Sequence, residues 1–334
     1  MVQYHPTPRT RKTLAFSQPM PVPLSSQKAL REWRIYLFVI PSLFLVAIFS
    51  YFPAISAVYH SFFDWEGGDF KRFIGFDNFT RAFADRELWN SFFTIGVLVV
   101  ANIFKLIPSI FTAVLIHRLI SDKWQYWYRV LVVIPMIVPG LVTLFIWKFF
   151  FDPNMGILNN VIEGLGLKGL LVAMNDAMGW NVFREGLPIG WLSQPDLIIP
   201  SLVIWGFPWI GAVGVLIYLA GLQSIGEEVY ESAEIDGANW WQKFVYIEFP
   251  LILTQIRLTL VLLIIGTLQG FGLQYLLLGM DGGAGGRGMV PGLWMFNRAF
   301  GAGQFGYACA IGMILFVFIL GLTYINNKYV RVEK

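Results

Sequence analysis

The sequence predicts an all-α polytopic membrane protein with six transmembrane helices. The chain has 334 residues, of which 56% are hydrophobic and 13% are charged, and its mean hydropathy is +0.62. Soluble domains carry roughly 25% charged residues, so this composition excludes an ordinary soluble protein. Apolar runs also recur along the chain at the length of about 20 residues that a helix needs to cross a bilayer.

Six apolar runs of that length define the predicted helices. They cover about residues 35–62, 89–116, 130–151, 197–222, 257–280 and 307–325. The segment 152–196 is too polar and glycine-rich to cross the membrane, so we expect a loop outside the bilayer. The first 24 residues contain five prolines and no periodic apolar pattern. We therefore predict a disordered or amphipathic segment over residues 1–30 and one transmembrane domain over residues 31–330.

The distribution of basic residues predicts the orientation. Fourteen of the 24 Lys and Arg residues flank span ends on the side of the two termini, and eight flank them on the opposite side. Cytoplasmic loops carry the excess of Lys and Arg. Both termini should therefore be cytoplasmic, together with the acidic loop (residues 226–250) between the fourth and fifth spans.

The chain carries no signature of catalysis or metal binding. Its single cysteine, Cys309, excludes an internal disulfide and a cysteine-based metal cluster. The three histidines lack metal-ligand spacing, and the sequence has no Walker-type phosphate loop, no His-Glu-x-x-His and no Gly-x-Ser-x-Gly. A net charge of +3 is too small to indicate a nucleic-acid partner. We predict a non-enzymatic membrane protein with no catalytic residues and no metal site.

The acidic loop is a polar island of about twenty residues between two apolar runs. Gly237 can adopt the left-handed backbone conformation that joins two helices at an angle. We expect one short helix over residues 231–235 and a second over residues 238–246. The small side chains of Ala233 and Ala238 would allow a partner surface to approach closely.

The loop also presents polar and apolar faces at helical spacing. Glu231 and Glu234 lie three residues apart, so they share a helix face that could meet a basic groove. Phe244 and Ile247 give the second helix an apolar edge, and Pro250 ends that helix before the fifth span. From these features alone, an ordinary amphipathic cytoplasmic loop is the alternative interpretation.

The pattern Glu-x-Ala-x-x-Asp-Gly-Ala over residues 231–238, with apolar and proline positions at fixed offsets after it, resembles the EAA loop of membrane subunits of ATP-binding-cassette importers. In that family the loop docks in a cleft of the nucleotide-binding subunit and transmits ATP-driven closure to the spans. The resemblance assigns this coupling role to Glu231, Ala233, Glu234, Asp236, Gly237, Ala238, Phe244, Ile247 and Pro250.

Four further segments extend the resemblance over nearly all of residues 30–328. They are GFDNF (75–79), WKFFFDPNMGILN (147–159), YLAGLQSI (218–225) and FGYACAIGMILF (305–316). Together they are similar to the carbohydrate-uptake members of the family, in particular to the first membrane subunit of the maltose transporter. The resemblance implies a type I ABC importer permease fold in the inner membrane of a bacterium or archaeon.

The same resemblance implies the partners. They would be a second, non-identical permease subunit, two nucleotide-binding ATPase subunits, an extracytoplasmic substrate-binding protein and the lipid bilayer. ATP and Mg²⁺ would be bound by the ATPases, so this chain would hold no cofactor.

Small residues at helical spacing in the fourth and fifth spans predict either close helix packing or a cavity wall for sugar. By register with the maltose subunit, the predicted path residues are Ile210, Gly211, Gly214, Leu263, Gly266, Thr267 and Gly270. Nearby candidates for stacking or polar contact are Trp205, Trp209, Gln269, Gln274 and Tyr275. Lys105 lies midway along the second span, where a charge is a functional candidate by default; the alternatives are snorkelling or pairing with a partner subunit.

The sequence leaves the transported compound open. A polyol or glycerol phosphate is the alternative substrate to a sugar or oligosaccharide. A secondary transporter is a rival class, but it would usually need intramembrane acids for ion coupling, and the cores of the predicted spans contain none. A channel or membrane scaffold is a second rival, and it leaves the acidic loop unexplained.

Overall fold

The computed structural model describes residues 33–179 and 182–329, which form helices joined by short loops together with one two-stranded sheet. The predicted N-terminal segment 1–30 lies outside the described residues. The described residues fall into two compact units that divide between Ile55 and Ser56. The extent of the predicted transmembrane domain stays a prediction.

The hydrogen bonding of the first helix changes along its length. Helix α1 (Trp33–Val46) passes into a π-helical turn (Ala47–Tyr51) and then into α2 (Phe52–His60). Pro53 has no backbone N–H, and its ring would clash with the carbonyl four residues earlier in a regular α-helix. That carbonyl belongs to Phe49 in the π-helical turn, which accommodates the proline.

The remaining elements follow in chain order and belong to the second unit. They are β1 (Phe63–Trp65), β2 (Lys71–Phe73), α3 (Asp77–Ala84), α4 (Arg86–Phe104), α5 (Leu106–His117), α6 (Asp122–Ile137), α7 (Gly140–Phe150), α8 (Ile157–Gly164), α9 (Lys168–Met178), α10 (Pro195–Ile204), α11 (Ala212–Gln223), α12 (Glu227–Ile235), α13 (Trp240–Lys243), α14 (Phe249–Leu251), α15 (Leu253–Gln269), α16 (Gly272–Leu278), α17 (Pro291–Phe296) and α18 (Phe305–Tyr329). Strands β1 and β2 pair antiparallel, with Phe63 opposite Phe73.

Three unbroken helical stretches are long and apolar enough to cross a bilayer. They are Leu37–His60, Arg86–His117 and Phe305–Asn326, and they overlap the first, second and sixth predicted spans. Four further pairs of helices reach the required length only if each bent pair is counted as one span, which would give up to seven among the described residues. The count of six spans therefore stays a prediction.

The third, fourth and fifth predicted spans are each interrupted, whereas the sequence predicts continuous helices. Helices α6 and α7 meet at 88°, because Pro139 disfavours a helical conformation at Val138, whose ψ is 127°. Helices α10 and α11 are separated by an unwound segment, Trp205–Gly211. Helices α15 and α16 are separated by Gly270 and Phe271.

Buried side chains pack between α5 and α11 and set the position of both helices. Val114, Val215, Tyr218 and Leu222 are fully buried there. A second core joins α4 to α10, α17 and α18 around buried aliphatic side chains such as Leu88. Because both cores use α4–α5, this continuous pair fixes the helices on either side of it.

The segment 152–196 has a core of its own, which the sequence did not predict. Asn159 lies at its centre and donates from Nδ2 to the Pro153 carbonyl (2.8 Å) and the Ile189 carbonyl (3.0 Å). Its Oδ1 accepts the indole N–H of Trp191 at 2.8 Å. These bonds close the loop around buried apolar side chains that include Phe151.

Candidate functional site

A cavity of about 670 Å³ lies among α4, α5, the unwound segment, α11, α15 and α16. It is lined by Leu98, Asn102, Lys105, Leu106, Ser109, Leu202, Trp205, Gly206, Trp209, Ile210, Gly211, Val213, Gly214, Ile217, Thr259, Leu262, Leu263, Gly266, Thr267, Gly270, Phe271, Gly272, Leu273 and Gln274. The lining is mostly apolar, with a few polar side chains that converge on the space. This composition is typical of small-molecule sites, which occupy about 300–1,000 Å³.

The unwound segment Trp205–Gly211 forms one wall of the cavity. Gly206 and Trp209 have positive φ angles of 79° and 61°. Such a backbone cannot form regular helical hydrogen bonds, so its polar groups need other partners. The Ser109 hydroxyl supplies them, since it donates to the Trp209 carbonyl (3.2 Å) and accepts the Gly211 N–H (2.9 Å).

Lys105 projects from the junction of α4 and α5 into the same region. Its Nζ lies 3.4 Å from the Leu202 carbonyl and 3.4 Å from the Trp205 carbonyl. These carbonyls lie at the C-terminal end of α10, which carries the partial negative charge of the helix dipole. The ammonium also lies 5.9 Å from the centre of the Trp209 ring. Lys105 is therefore positioned by backbone dipoles and an aromatic face.

Two polar pairs join α15 to the opposite walls. Asn102 on α4 donates to the Thr267 hydroxyl at 3.1 Å. The hydroxyls of Tyr218 on α11 and Thr259 on α15 lie 2.6 Å apart. These pairs hold α15 beside the cavity. The same four side chains keep further hydrogen-bonding groups that these pairs do not use.

The structure brings most of the predicted path residues together around this one cavity. Those lining it are Lys105, Trp205, Trp209, Ile210, Gly211, Gly214, Leu263, Gly266, Thr267, Gly270 and Gln274. Gln269 and Tyr275 do not line it, and Tyr275 instead packs edge-on against Phe296. Their proposed role in substrate contact stays a prediction.

The glycines that line the cavity differ in their surroundings. A Cβ on Gly211 or Gly214 would lie 3.7 Å from Ser109 of α5, which is an ordinary van der Waals contact. A Cβ on Gly266 would meet no atom within 4 Å. Gly266 therefore faces open space, as a cavity wall requires.

Sequence reasoning missed three polar residues of the cavity: Asn102, Ser109 and Thr259. Asn102 lies three residues before Lys105, and Ser109 lies four residues after it. Positions three and four residues apart share one helix face. This spacing around an intramembrane lysine was the available signal for Asn102 and Ser109.

The acidic loop makes its turn at the predicted glycine. Gly237 has a φ of +73°. Its N–H donates to the Glu234 carbonyl (3.0 Å), and the Ala238 N–H donates to the Ala233 carbonyl (2.9 Å), which is the Schellman arrangement of a helix C-terminus. No atom lies within 4 Å of the position of an added Cβ, so glycine is required here by conformation and not by space.

The second helix of the acidic loop starts at Trp240, two residues later than predicted. The Asn239 side chain accepts the Gln242 N–H at 2.9 Å, and the Gln242 side chain accepts the Asn239 N–H at 2.7 Å. This capping box fixes the helix start. After Lys243 the helix continues through a π-helical turn, Phe244–Glu248. The Asn-x-x-Gln spacing was readable in the sequence and was overlooked.

The predicted coupling residues differ in exposure. Glu231, Glu234, Asp236 and Gly237 are exposed, and the neighbouring Ile235 side chain is 87% exposed. Pro250 is exposed, whereas Ala238, Phe244 and Ile247 are half-buried. Ala233 is buried within the chain, so its small side chain serves the packing of α12 and not the approach of a partner that the sequence suggested.

Two of the loop's acids pair within the chain. Glu234 accepts a hydrogen bond from the Lys243 ammonium at 2.7 Å, and this bond holds the pKa of the Glu234 carboxyl below its usual value. Glu248, near the end of the same loop, is fully buried. It faces the guanidinium of Arg118, with Nε–Oε1 and Nη2–Oε2 distances of 2.8 and 2.7 Å.

The bidentate pair fastens the acidic loop to the end of α5. Arg118 also donates to the Trp240 carbonyl at 3.2 Å, and its guanidinium lies 4.3 Å from the centre of the Trp240 ring. The Tyr230 hydroxyl donates to Glu248 at 3.4 Å and lies 3.2 Å from His117 Nε2. Burial and the Glu248 charge raise the pKa of the Tyr230 hydroxyl, which stays a neutral donor. Phe244 stacks on Phe111 of α5 at 5.2 Å.

Within the described ranges, no group of three or more His, Cys, Asp or Glu side chains could hold a metal ion.

Apolar helices around a central cavity, with an acidic loop at one end, define a membrane-transport component. Residues 106–329 match the family described as "Binding-protein-dependent transport system inner membrane component", and the chain belongs to this family. Membership confirms the family predicted from the acidic loop and its flanking segments, and it confirms a non-enzymatic protein.

Two similar proteins align with almost the whole chain. The trehalose/maltose transport system permease protein MalF of Thermococcus litoralis is 28% identical over 314 residues, covering 93% of this chain and 98% of its own. The multiple sugar-binding transport system permease protein MsmF of Streptococcus mutans is 29% identical over 300 residues, with coverages of 89% and 94%.

A solved structure shows the same fold. A chain of a bacterial ABC transporter involved in the import of the acidic polysaccharide alginate superimposes with a TM-score of 0.71 at 21% identity, covering 91% of this chain and 99% of that chain. The predicted permease fold is thus confirmed, although the number of its spans is not.

Proposed function

We propose that this chain is one half of a heterodimeric permease that forms the path for a sugar or oligosaccharide in an ATP-driven importer. An extracytoplasmic binding protein delivers the substrate, and two ATPase subunits bind the acidic loop and hold ATP and Mg²⁺. The chain lies in the inner membrane of a bacterium or archaeon with both termini and the acidic loop in the cytoplasm.

The observation that carries this proposal is the continuity between the cavity and the acidic loop. Helix α11 lines the cavity, and three residues separate its end from the start of α12. Helix α15 lines it from the other side and follows α14 after a single residue. A displacement of the loop is therefore transmitted along two cavity walls without any intervening domain.

The surface of the acidic loop supports an ATPase as the partner. Glu231, Ile235 and Asp236 are all exposed at the end of α12 that leads into the turn. Carboxylates suit a basic cleft, and an exposed apolar side chain beside them suits a buried contact at its centre. Closure of two ATPases on ATP binding would push on this turn and select the outward-facing state, which requires only a few kcal/mol of differential contact.

The names of the relatives support a carbohydrate as the substrate. Two of them are named for the transport of trehalose, maltose or multiple sugars, and the solved transporter imports alginate. The cavity adds two indoles, Trp205 and Trp209, which offer apolar faces for sugar rings, and amide groups at Asn102 and Gln274. These groups provide the stacking and hydrogen bonding by which sugars are held.

A paired substitution in the acidic loop tests the coupling. We expect Gly237→Val with Glu231→Arg to abolish ATP-dependent uptake, because valine resists the left-handed backbone and arginine inverts a contact charge. Affinity purification of the tagged chain should recover an ATPase with the wild type and much less with the variant. The matched control is Glu163→Arg, an exposed acid on α8, which should leave both uptake and ATPase recovery unchanged.

Two results would refute the proposal. One is ATP-dependent uptake at the wild-type rate by the doubly substituted chain. The other is uptake that survives ATP depletion but stops when the ion gradient is collapsed, which would assign the chain to the secondary transporters.

A further inference from the structure

One charged side chain lines the cavity in the part of the chain that the structure describes: that of Lys105. Every other lining residue is neutral, and none is a carboxylate. A charge at this depth is expensive in a membrane protein and is normally paired with an opposite charge. The structure therefore raises the question of what balances this ammonium.

The contacts within the chain leave the charge only partly compensated. Both carbonyl contacts of Lys105 are 3.4 Å long, whereas N–H···O hydrogen bonds are usually about 2.9–3.0 Å. An ammonium has three donors, so even these two contacts leave one unused. Among the described residues, no carboxylate oxygen lies within 4.0 Å of Nζ in an ion pair. Capping of α10 explains the position of the ammonium but not the missing negative charge.

The surroundings of the ammonium suit a sugar that carries a charge. The Trp209 ring lies 5.9 Å from Nζ, so a sugar ring stacked on that indole would place a substituent within reach of Lys105. Asn102 lies one helical turn before Lys105 and Ser109 one turn after it, and both line the cavity. The Ser109 hydroxyl is already bonded to the Trp209 carbonyl and the Gly211 N–H, whereas the Asn102 side-chain oxygen can accept a hydrogen bond from a hydroxyl of the same ligand.

We propose that Lys105 makes this cavity selective for a substrate bearing an anionic oxygen group, such as the carboxylate of a uronic acid or the phosphate of a sugar or polyol phosphate. The inference rests on the proposed function, since it assigns a substrate class to the same cavity. A carboxylate or phosphate oxygen would form a charge-assisted hydrogen bond with Nζ. A neutral sugar would leave the ammonium desolvated and without a counter-charge, so the site would discriminate against it.

Binding of matched charged and neutral ligands tests the charge selectivity directly. The importer complex is purified in lipid nanodiscs, and the dissociation constants of digalacturonate and of its neutral methyl ester are measured by competition. We expect the wild type to prefer the acid and Lys105→Gln to bind the acid about 10- to 100-fold more weakly, as for the loss of a hydrogen bond to a charged group. Lys105→Arg should retain the preference, because it retains the charge.

A second pair of ligands distinguishes the source of the anionic group. Glycerol 3-phosphate and glycerol are compared on the same complexes, and a preference for the phosphate that Lys105→Gln abolishes would assign the site to phosphorylated polyols or sugars. The control variant is Lys148→Gln, an exposed lysine on α7 outside the cavity lining, which should leave every affinity unchanged.

The proposal is overturned if the wild type prefers neither anion or if Lys105→Gln keeps the preference. It is equally overturned if Lys105→Gln prevents recovery of the second permease subunit, which would show that the charge is paired across the subunit interface. ATP-dependent uptake of a neutral sugar in preference to its acid by the wild-type chain would refute this inference and leave the importer function intact. If affinity purification of the wild-type chain recovers no ATPase, the proposed importer function itself is refuted.

Discussion

The ion pair of Arg118 and Glu248 combines a buried carboxylate with two hydrogen bonds. Glu248 is 0% exposed, and both of its oxygens are bonded to the Arg118 guanidinium. A buried pair need not stabilise the fold more than apolar residues of the same volume would, but removal of one partner leaves an uncompensated buried charge. The pair therefore matters most for the position of the acidic loop relative to α5.

Double replacement of this pair should destabilise the chain less than single replacement does. We expect Arg118→Met alone to lower the free energy of unfolding by about 3–5 kcal/mol, because it leaves the Glu248 carboxylate buried without its partner. Arg118→Met with Glu248→Leu should restore most of that loss. Unfolding of the purified chain by SDS titration would measure both.

The exposed pair of Arg72 and Asp64 provides the control, with a separation of 3.2 Å and 78% and 58% exposed side chains. Asp64→Asn should change the free energy of unfolding by no more than about 1 kcal/mol. If Arg118→Met proves as mild as this control, the buried pair does not hold the acidic loop in place.

At the scale of elements, the break between α10 and α11 creates the cavity wall. A continuous helix over residues 197–222 would bury its backbone polar groups and present only side chains. The break instead turns backbone groups toward neighbouring helices, and Ser109 of α5 binds two of them. The geometry of the wall thus depends on a hydroxyl from another helix.

Replacement of that hydroxyl tests this dependence. We expect Ser109→Ala to destabilise the chain by about 0.5–1.5 kcal/mol, because it removes two part-buried hydrogen bonds, to the Trp209 carbonyl and from the Gly211 N–H. It should also impair substrate binding, since Trp209 and Gly211 both line the cavity. Thr112→Ala on the same helix is the matched control, because the Thr112 hydroxyl donates to the Pro108 carbonyl of its own helix at 2.8 Å. Equal effects of the two substitutions on binding would argue against the role of Ser109.

At the scale of the whole molecule, Asp85 joins distant parts of the chain at the end of α4 opposite to the acidic loop. Its Oδ1 accepts the N–H groups of Glu87 and Leu88 at 3.0 and 3.2 Å. Its Oδ2 accepts the Trp294 indole at 2.9 Å and the Tyr307 hydroxyl at 2.6 Å. Burial opposes ionisation, but these four hydrogen bonds outweigh it and hold the pKa of Asp85 below its ordinary value.

This arrangement predicts a pH dependence of stability. Since the pKa of Asp85 is lower in the folded than in the unfolded chain, its contribution is complete above the unfolded value of about 3.9 and is lost as the pH falls through the folded pKa. Thermal unfolding in detergent between about pH 3 and pH 6 should show the loss at the acidic end. Asp85→Asn should flatten this acidic limb, whereas Asp77→Asn, an exposed acid on α3, should not. An unchanged profile in Asp85→Asn would contradict the assignment.

The helix pair α4–α5 connects three features of the molecule. Cavity, acidic loop and the Asp85 cluster lie along α4–α5, the longest unbroken helical stretch of the described chain. A movement imposed at the acidic loop therefore meets the same helix pair that carries Lys105 and Ser109. In the importer that we propose, this pair would link ATP-driven closure to the substrate path.

The sequence by itself determined the class of the protein and the turn of the acidic loop. Composition required a membrane environment, because too few polar groups are present to solvate a soluble fold. Gly237 required a left-handed turn, because that conformation is a local property of one residue. The capping box that Asn239 begins is also a local feature of the sequence.

Tertiary structure decided which residues face one another across the chain. Glu248 and Ala233 lie in the acidic loop and both are buried, and Glu248 is paired with Arg118, which directly follows α5. The interruption at residues 205–211 is stabilised by Ser109, about 100 positions away in the sequence. Local preferences along a chain specify turns and helix ends, but only long-range packing specifies the partners of a buried charge or an unpaired backbone group.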